Sequence, residues 1–399
     1  MGRIDTGEIR TRYEDELRRQ ILPFWLEHGI DREYGGYLTG LARDGALIES
    51  DKPVWFQGRF AWMLSTLHSK LEKNDEWLDL ARSGVEFLEN HCFDEDGRMY
   101  FRVDRAGRPL IKRTRYLFSE CFAIMAMAAY ARAAGQPRYL ERARSLLELV
   151  ERYRSTPGLL EPKFNQETRA SRGFALPMIL LAVVQELRDC DPHGADAWSA
   201  KIDGYIEELR GFMKAEHEAA LEQMSSRGEL EDHFEGRLLN PGHAIEAAWF
   251  ILREALYRGR DEELVRMGTT ILDWMWAWGW DREYGGIIYY RDVLNRPATE
   301  YWHDMKFWWP QCEAIIASLY AFLLTGEERY ARMFTECDEW AHAHFPDREH
   351  GEWFGYLHRD GSLSSEIKGN MFKGPFHIPR MYLECLTLAR ELPQPVAPG

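Results

Sequence analysis

A chain of 399 residues that is 45% apolar, with 15 Trp, 18 Tyr and 20 Phe, can fill a large core and line a pocket with aromatic rings. Its formal charge of −15 argues against nucleic acid or an anionic membrane surface as partner, and leaves a neutral ligand open. Six scattered cysteines without CxxC or zinc-type spacing read as free thiols, and the charged first residues carry no apolar segment; a cytoplasmic protein without a membrane span is expected.

In chain order, Asp31-Arg32-Glu33-Tyr34-Gly35-Gly36-Tyr37 opens a series of internal repeats. A looser copy is Asp94–Tyr100, a near-exact one is Asp281-Arg282-Glu283-Tyr284-Gly285-Gly286-Ile287, and a third is Asp347–Trp353. Each leads into a pair of strand-like residues and a polar turn: Arg43-Asp44-Gly45, Asp104–Gly107, Arg291-Asp292 and Arg359-Asp360-Gly361. Each is read as a short β-hairpin beside a helix end. Asp31 and Asp94 are about 63 residues apart and Asp281 and Asp347 about 66. The interval between Asp94 and Asp281 has room for two more units, near Thr156–Phe164 and His217–Asp232, where the sequence is degenerate. Between hairpins, apolar residues at helical spacing predict two helices per unit: Trp77–His91 then Phe118–Ala134, Tyr139–Tyr153 then Gly173–Leu187, Asp261–Trp278 then Glu313–Leu324. Twelve helices in six pairs predict an all-α fold, an (α/α)6 barrel with short β-hairpins on one rim. The boundaries are one domain over 1–392 and a C-terminal tail, Pro393–Gly399.

The repeats also align the residues ahead of the inner helices. Lys52-Pro53-Val54-Trp55-Phe56-Gln57-Gly58-Arg59 matches Lys306-Phe307-Trp308-Trp309-Pro310-Gln311-Cys312-Glu313, and such segments are expected to converge on the funnel floor. Polar groups gathered there among tryptophans suit a binding site better than packing alone; the plainer reading is a set of helix caps and salt bridges. Asn240-Pro241-Gly242-His243 reads as an N-cap with proline at the first helical position, which puts His243 in the first turn, where the positive helix end keeps imidazole neutral. Glu246, one turn on, could orient His243 or bind a hydroxyl. His377 sits where the loop Lys368–Phe376 becomes a helix, and the cations Lys373 and Arg380 favour its neutral, basic form. Two histidines from opposite walls of a pocket make an acid/base pair.

These residues are recognisable. Phe24-Trp25, Asp31–Tyr37, Lys52–Arg59, Ser119–Phe122, Asn240–Phe250, Lys306–Ala314, Gly351–Gly361 and Lys368–Arg380 resemble the N-acylglucosamine 2-epimerase family, whose mammalian member is also known as renin-binding protein. The resemblance runs nearly end to end and implies an (α/α)6 barrel. It also implies an isomerase that interconverts N-acetylglucosamine and N-acetylmannosamine by ring opening, abstraction of the C2 proton and reprotonation of an enediolate-like intermediate. By motif position His243 and His377 are the catalytic acid/base residues and Arg59 steadies the oxyanion. Glu246, Glu313, Trp309, Trp55, Gln57, Lys306, Trp353 and Arg380 are the expected substrate-binding residues. Family members also include 2-epimerases and aldose–ketose isomerases acting on mannose, glucose or cellobiose. Gly369-Asn370 and Gly374-Pro375 stand where the N-acetylglucosamine enzymes carry Gly-Gly and then Cys, a change that could favour a sugar without an acetamido group. No cofactor is required; ATP, which activates several family members unconsumed, enters at most as an allosteric activator, and no phosphate-binding glycine loop is present. Homodimers are common among relatives.

Two rival functions follow from the same residues. Glu246 and Glu313 could serve an inverting glycosidase, since (α/α)6 barrels host such carboxylate pairs, and a binding protein with a dead site is the other. A metal site is not expected: His342-x-His344 places two rings on diverging sides of a helix.

Overall fold

The computed structural model describes residues 4–113, 117–161 and 165–392; the expected tail 393–399 and the end of Thr156–Phe164 lie outside them. The first helix is interrupted by a π-turn: α1 (Thr6–Glu16) passes through Leu17–Ile21 into α2 (Leu22–His28). Then follow α3 (Val54–Lys70), α4 (Asp75–His91), α5 (Phe118–Ala134), α6 (Pro137–Ser155), α7 (Ala175–Cys190) and α8 (Ala195–Arg210). A short α9 (Phe234–Arg237) precedes α10 (Pro241–Tyr257), α11 (Glu262–Gly279), α12 (Trp308–Thr325), α13 (Glu328–His344) and α14 (His377–Glu391).

Burial sorts these helices into two rings. In α3, α5, α7, α10, α12 and α14 most residues are buried all round, as a helix must be when it packs on both sides. The outer helices α1, α4, α6, α8, α11 and α13 bury one stripe each and face their charged residues outward, α1 packing on α14. Each inner helix touches the next, α3 to α5, α5 to α7, α7 to α10, α10 to α12 and α12 to α14, and α14 returns to α3, which closes the ring. No helix among the described residues is long and apolar enough to cross a membrane.

The repeated Asp-Arg-Glu motif is a structural device. Asp31 and Asp281 each cap their turn, accepting from the backbone N–H groups two and three residues on. The following glycine pairs, Gly35-Gly36 and Gly285-Gly286, all have positive φ between 66° and 75°, which a side chain would resist. A buried lysine then ties the turn to the sheet. Lys52 Nζ meets Asp31 (2.9 Å) and the carbonyls of Gly35 and Arg105; Lys306 Nζ meets Asp281 (3.1 Å), Gly285 and Arg359; Lys368 Nζ meets Asp347 (2.9 Å) and Gly351. The hairpin arginine of the following unit completes each cage: Arg105 on Asp31, Arg359 on Asp281, and Arg43 on Asp347. That last pair joins the first unit to the last.

The hairpins occur as expected at Gly40–Leu41 with Leu47–Glu49, Arg102–Val103 with Pro109–Ile111, and Tyr356–Leu357 with Leu363–Ser365. Arg291–Asp292 is the exception: it forms no hairpin and pairs instead with Leu238–Leu239 from the preceding unit. In the degenerate middle units a local ladder pairs Met213–Lys214 with Ala219–Ala220, and a second joins distant segments, Ser171–Gly173 with Gln223–Ser225.

His342 and His344 do diverge. His344 stacks on Trp340 (ring centroids 4.4 Å apart), whereas His342 is buried between Asp338 (2.9 Å) and Glu16 (3.0 Å), beside Tyr13 and Tyr382, and fastens α1 to α13 and α14. Burial works against its charged form, but the bonds to Asp338 and Glu16 outweigh it and push His342 up to about 9. A histidine raised above its unfolded value of about 6.5 stabilises fully below that pH and stops doing so as pH climbs through about 9. The urea midpoint should therefore fall between pH 7 and pH 10, by up to about 3 kcal/mol of stability. A His342→Gln protein should lack that component of the pH dependence.

Candidate active site

The N-terminal ends of α10, α12 and α14 meet at one end of the ring. Asn240 caps α10 by accepting from the His243 N–H (3.2 Å), with Pro241 at the first helical position, and His243 lies in the first turn as the sequence predicts. Gly242 is required here: a Cβ would come within 2.6 Å of the Trp309 indole, which lies against this helix end. His377 is the first residue of α14. Both imidazoles pack on Trp309 from α12, His243 with its ring centroid 5.1 Å and His377 with its centroid 5.7 Å from the indole. The two histidines thus share one wall.

Each ring is held at Nδ1 by a carboxylate. His377 donates to Glu313 (2.7 Å), and His243 donates to Glu222, whose two oxygens lie 3.0 and 3.1 Å away. With Nδ1 carrying the hydrogen, Nε2 of both rings keeps its lone pair. Burial, reinforced by the Arg380 cation, holds His377 well below the ordinary histidine range, so the ring is neutral at physiological pH. The sequence assigned that effect to Lys373 as well. Lys373 is instead buried in a pair with Glu352 (2.9 Å) and takes no part.

Glu313 is fully buried and accepts from Trp249 Nε1 and Arg380 as well as His377, each at 2.7 Å. Burial raises its affinity for a proton while the donors oppose this. Glu246 does not orient His243: it pairs with Arg380, whose Nη2 bridges Glu246 and Glu313. The nearest donor atoms of Glu246, Glu313 and His377 lie within 4.8 Å of one another, a spacing that could suit a metal ion, but Arg380 already supplies the positive charge between the carboxylates. Arg59 sits beside this group, its guanidinium 4.2–5.1 Å from the rings of Trp55, Phe56, Phe122 and Phe376. Trp55 in turn donates from its indole N–H to the Met371 carbonyl (3.0 Å), which joins the loop before α14 to α3.

The structure brings together His243, His377, Arg59, Glu246, Glu313, Trp309, Trp55 and Arg380. It does not bring in the other three. Gln57 is fully buried and spends its amide on the backbone of Tyr37 (2.8 and 2.9 Å), as Gln311 does on Ile287. Lys306 belongs to the Asp281 cage described above. Trp353 is 1% exposed, stacked on Phe345 beside His342. Asn370 of the variant motif also turns away from this role: it caps the N–H groups of Phe372 and Lys373 and donates to the Tyr356 hydroxyl (3.0 Å). Glu222 was missed, because it lies in a degenerate unit where no repeat or motif marks it.

A closed ring of six helical pairs with two carboxylate-held imidazoles at one end of its inner helices defines an (α/α)6-barrel protein. The model of the N-acylglucosamine 2-epimerase (GlcNAc 2-epimerase) family matches residues 35–377. The N-acylglucosamine 2-epimerase of Bos taurus is 37% identical over 396 residues, covering 97% of this chain and 93% of that protein. Its Homo sapiens counterpart is 35% identical over 389 residues, covering 96% and 90%. Among solved structures, cellobiose 2-epimerase from Bacillus thermoamylovorans B4167 superposes with a TM-score of 0.83 at 21% identity, covering 96% of this chain and 99% of that one, a likeness of fold. The chain belongs to the N-acylglucosamine 2-epimerase family.

Proposed function

We propose that this protein is a carbohydrate 2-epimerase that interconverts N-acetylglucosamine and N-acetylmannosamine, with His243 and His377 moving the C2 proton. The observation that carries this reading is the pair of imidazoles that share Trp309 as a wall, each tethered at Nδ1 by a carboxylate that leaves the ring lone pair on Nε2. In the open-chain aldehyde, one Nε2 takes the proton from C2. The C–H electron pair forms the C1–C2 double bond, and the carbonyl pair moves onto O1, giving an enediolate-like anion. The other imidazole enters the step as an imidazolium, having drawn a proton from solvent onto Nε2, and returns it to the opposite face as the carbonyl re-forms; the first imidazole then releases the C2 proton to solvent. Charge and atoms balance among the two histidines, the sugar and exchangeable solvent protons, so no redox cofactor is called for.

Arg59 is placed to steady the developing oxyanion, and the Arg380 pair to hold the buried carboxylates ionised. The sequence likeness to the bovine and human enzymes favours the acetamido sugar over cellobiose, mannose or glucose. The glycosidase alternative is disfavoured by geometry. An inverting pair stands about 6.5–9.5 Å apart across a pocket with one member free to protonate, whereas Glu246 and Glu313 lie within 4.8 Å and share one arginine.

Incubation in heavy water tests the reading. N-acetylglucosamine and N-acetylmannosamine should interconvert with one deuterium gained at C2 of the product and no glycosidic cleavage of added disaccharides. Epimerisation without deuterium at C2, or exchange with cellobiose but not with the acetamido sugars, would count against the mechanism or the substrate respectively.

A further inference from the structure

The Glu222–His243 contact joins two different elements. Glu222 lies between the two-residue strand Ala219–Ala220 and the strand Gln223–Ser225, 21 positions before His243 and on a different element. Its backbone is pinned: the Glu222 carbonyl accepts from the Phe174 N–H (3.0 Å), the Leu221 N–H donates to the Phe212 carbonyl (3.0 Å), and Gln223 pairs with Gly173. Both carboxylate oxygens then close on a single nitrogen of His243, whose other side rests on Trp309. The Asn240 side-chain N–H group lies 3.1 Å from the same nitrogen, but its orientation is set by the helix cap, and it can only donate. One Nδ1 cannot both give a hydrogen to Glu222 and receive one from Asn240. The ionised carboxylate prevails, because a charge-assisted bond is about twice as strong as a neutral one.

We infer that Glu222 is the positioning residue of His243: it fixes the Nδ1–H tautomer, aims Nε2 at the sugar and stabilises the imidazolium formed when His243 takes the C2 proton. This inference rests on the two-histidine reading. It makes the two acid/base groups unequal. Glu313 is dry and shared among Trp249, Arg380 and His377, whereas the Glu222 and His243 side chains are 21% and 29% exposed, on the open side of the site. Tyr290 lies near Glu222, with Glu300 near Tyr290 in turn, and His377 lies beyond His243.

The neutral isostere Glu222→Gln separates positioning from support of the fold, since the strand pairing around Glu222 uses backbone groups alone. Turnover should fall on the order of 10²-fold with KM changed less than about threefold, and Glu222→Asp should recover part of the loss. A second readout is specific to one histidine. In heavy water, deuterium entering the recovered, unconverted starting sugar reports only the histidine that deprotonates that epimer. Glu222→Gln should slow this exchange for one of the two acetamido sugars and leave it near the wild-type rate for the other. Equal slowing from both, or wild-type turnover, would overturn the role of Glu222. If the wild-type protein itself exchanges no C2 hydrogen, the two-histidine reading fails instead, and the two failures are told apart by that control.

Discussion

His377→Ala should lower turnover by about 10³-fold or more while the protein melts as a folded barrel, and His243→Ala should do the same. The size follows from what each ring does. Glu246 and Glu313 are locked to Arg380 and cannot take over proton transfer at carbon once an imidazole is gone, and Glu222 lies behind His243 rather than in its place. Loss of the His377 ring leaves Glu313 its bonds to Trp249 and Arg380, so no buried charge is stranded and the fold should tolerate the change. The double variant should be scarcely slower than either single one, since the two rings act in sequence on one intermediate and their effects do not add. Both single variants should still bind sugar, measurable as unaltered protection against thermal unfolding by substrate. A His377→Ala enzyme retaining more than about a tenth of wild-type turnover would remove His377 from the chemistry.

Those two histidines were legible in the sequence for a physical reason that did not extend to every neighbour. The helix starts around them are written locally, in Asn240-Pro241 and in the glycines and prolines before His377. The ring of helical pairs was legible because its unit is written repeatedly. The same repetition misled the reading of Gln57 and Lys306. A residue type that recurs at equivalent positions, as Lys52, Lys306 and Lys368 do, serves the scaffold, which needs the same cage in several units. The residues proposed for the chemistry follow the unit repeat less closely: His243 and His377 stand in the first turns of two inner helices, each with a charged residue three positions on, and no repeat marks Glu222. Trp55 and Trp309 sit between these cases: they recur together, yet one covers Arg59 and the other carries both imidazoles. Glu222 could not be found from the sequence, because what brings it to His243 is the pairing of strands from different units.

Arg380→Met should cost about 3–5 kcal/mol of stability and abolish turnover together. Arg380 is 3% exposed and is the cation that bridges Glu246 and Glu313, which are themselves 5% and 0% exposed. Without it, two carboxylates within 4.8 Å of each other remain in a largely aromatic setting, and like charges so placed cannot both stay ionised. One takes up a proton. If Glu313 does, it can donate to His377 Nδ1, which drives the ring hydrogen onto Nε2 and removes the lone pair that acts as base. Stability and catalysis are therefore lost through the same event. Glu246→Gln should separate them: added to Arg380→Met it removes one stranded charge and should return about 1–3 kcal/mol in urea unfolding, yet restore little turnover, because Glu313, fully buried and without its arginine, still takes up a proton and keeps the ring hydrogen on Nε2. A destabilisation by Arg380→Met below about 1 kcal/mol would mean that the carboxylates find another partner and that Arg380 is not what keeps them charged.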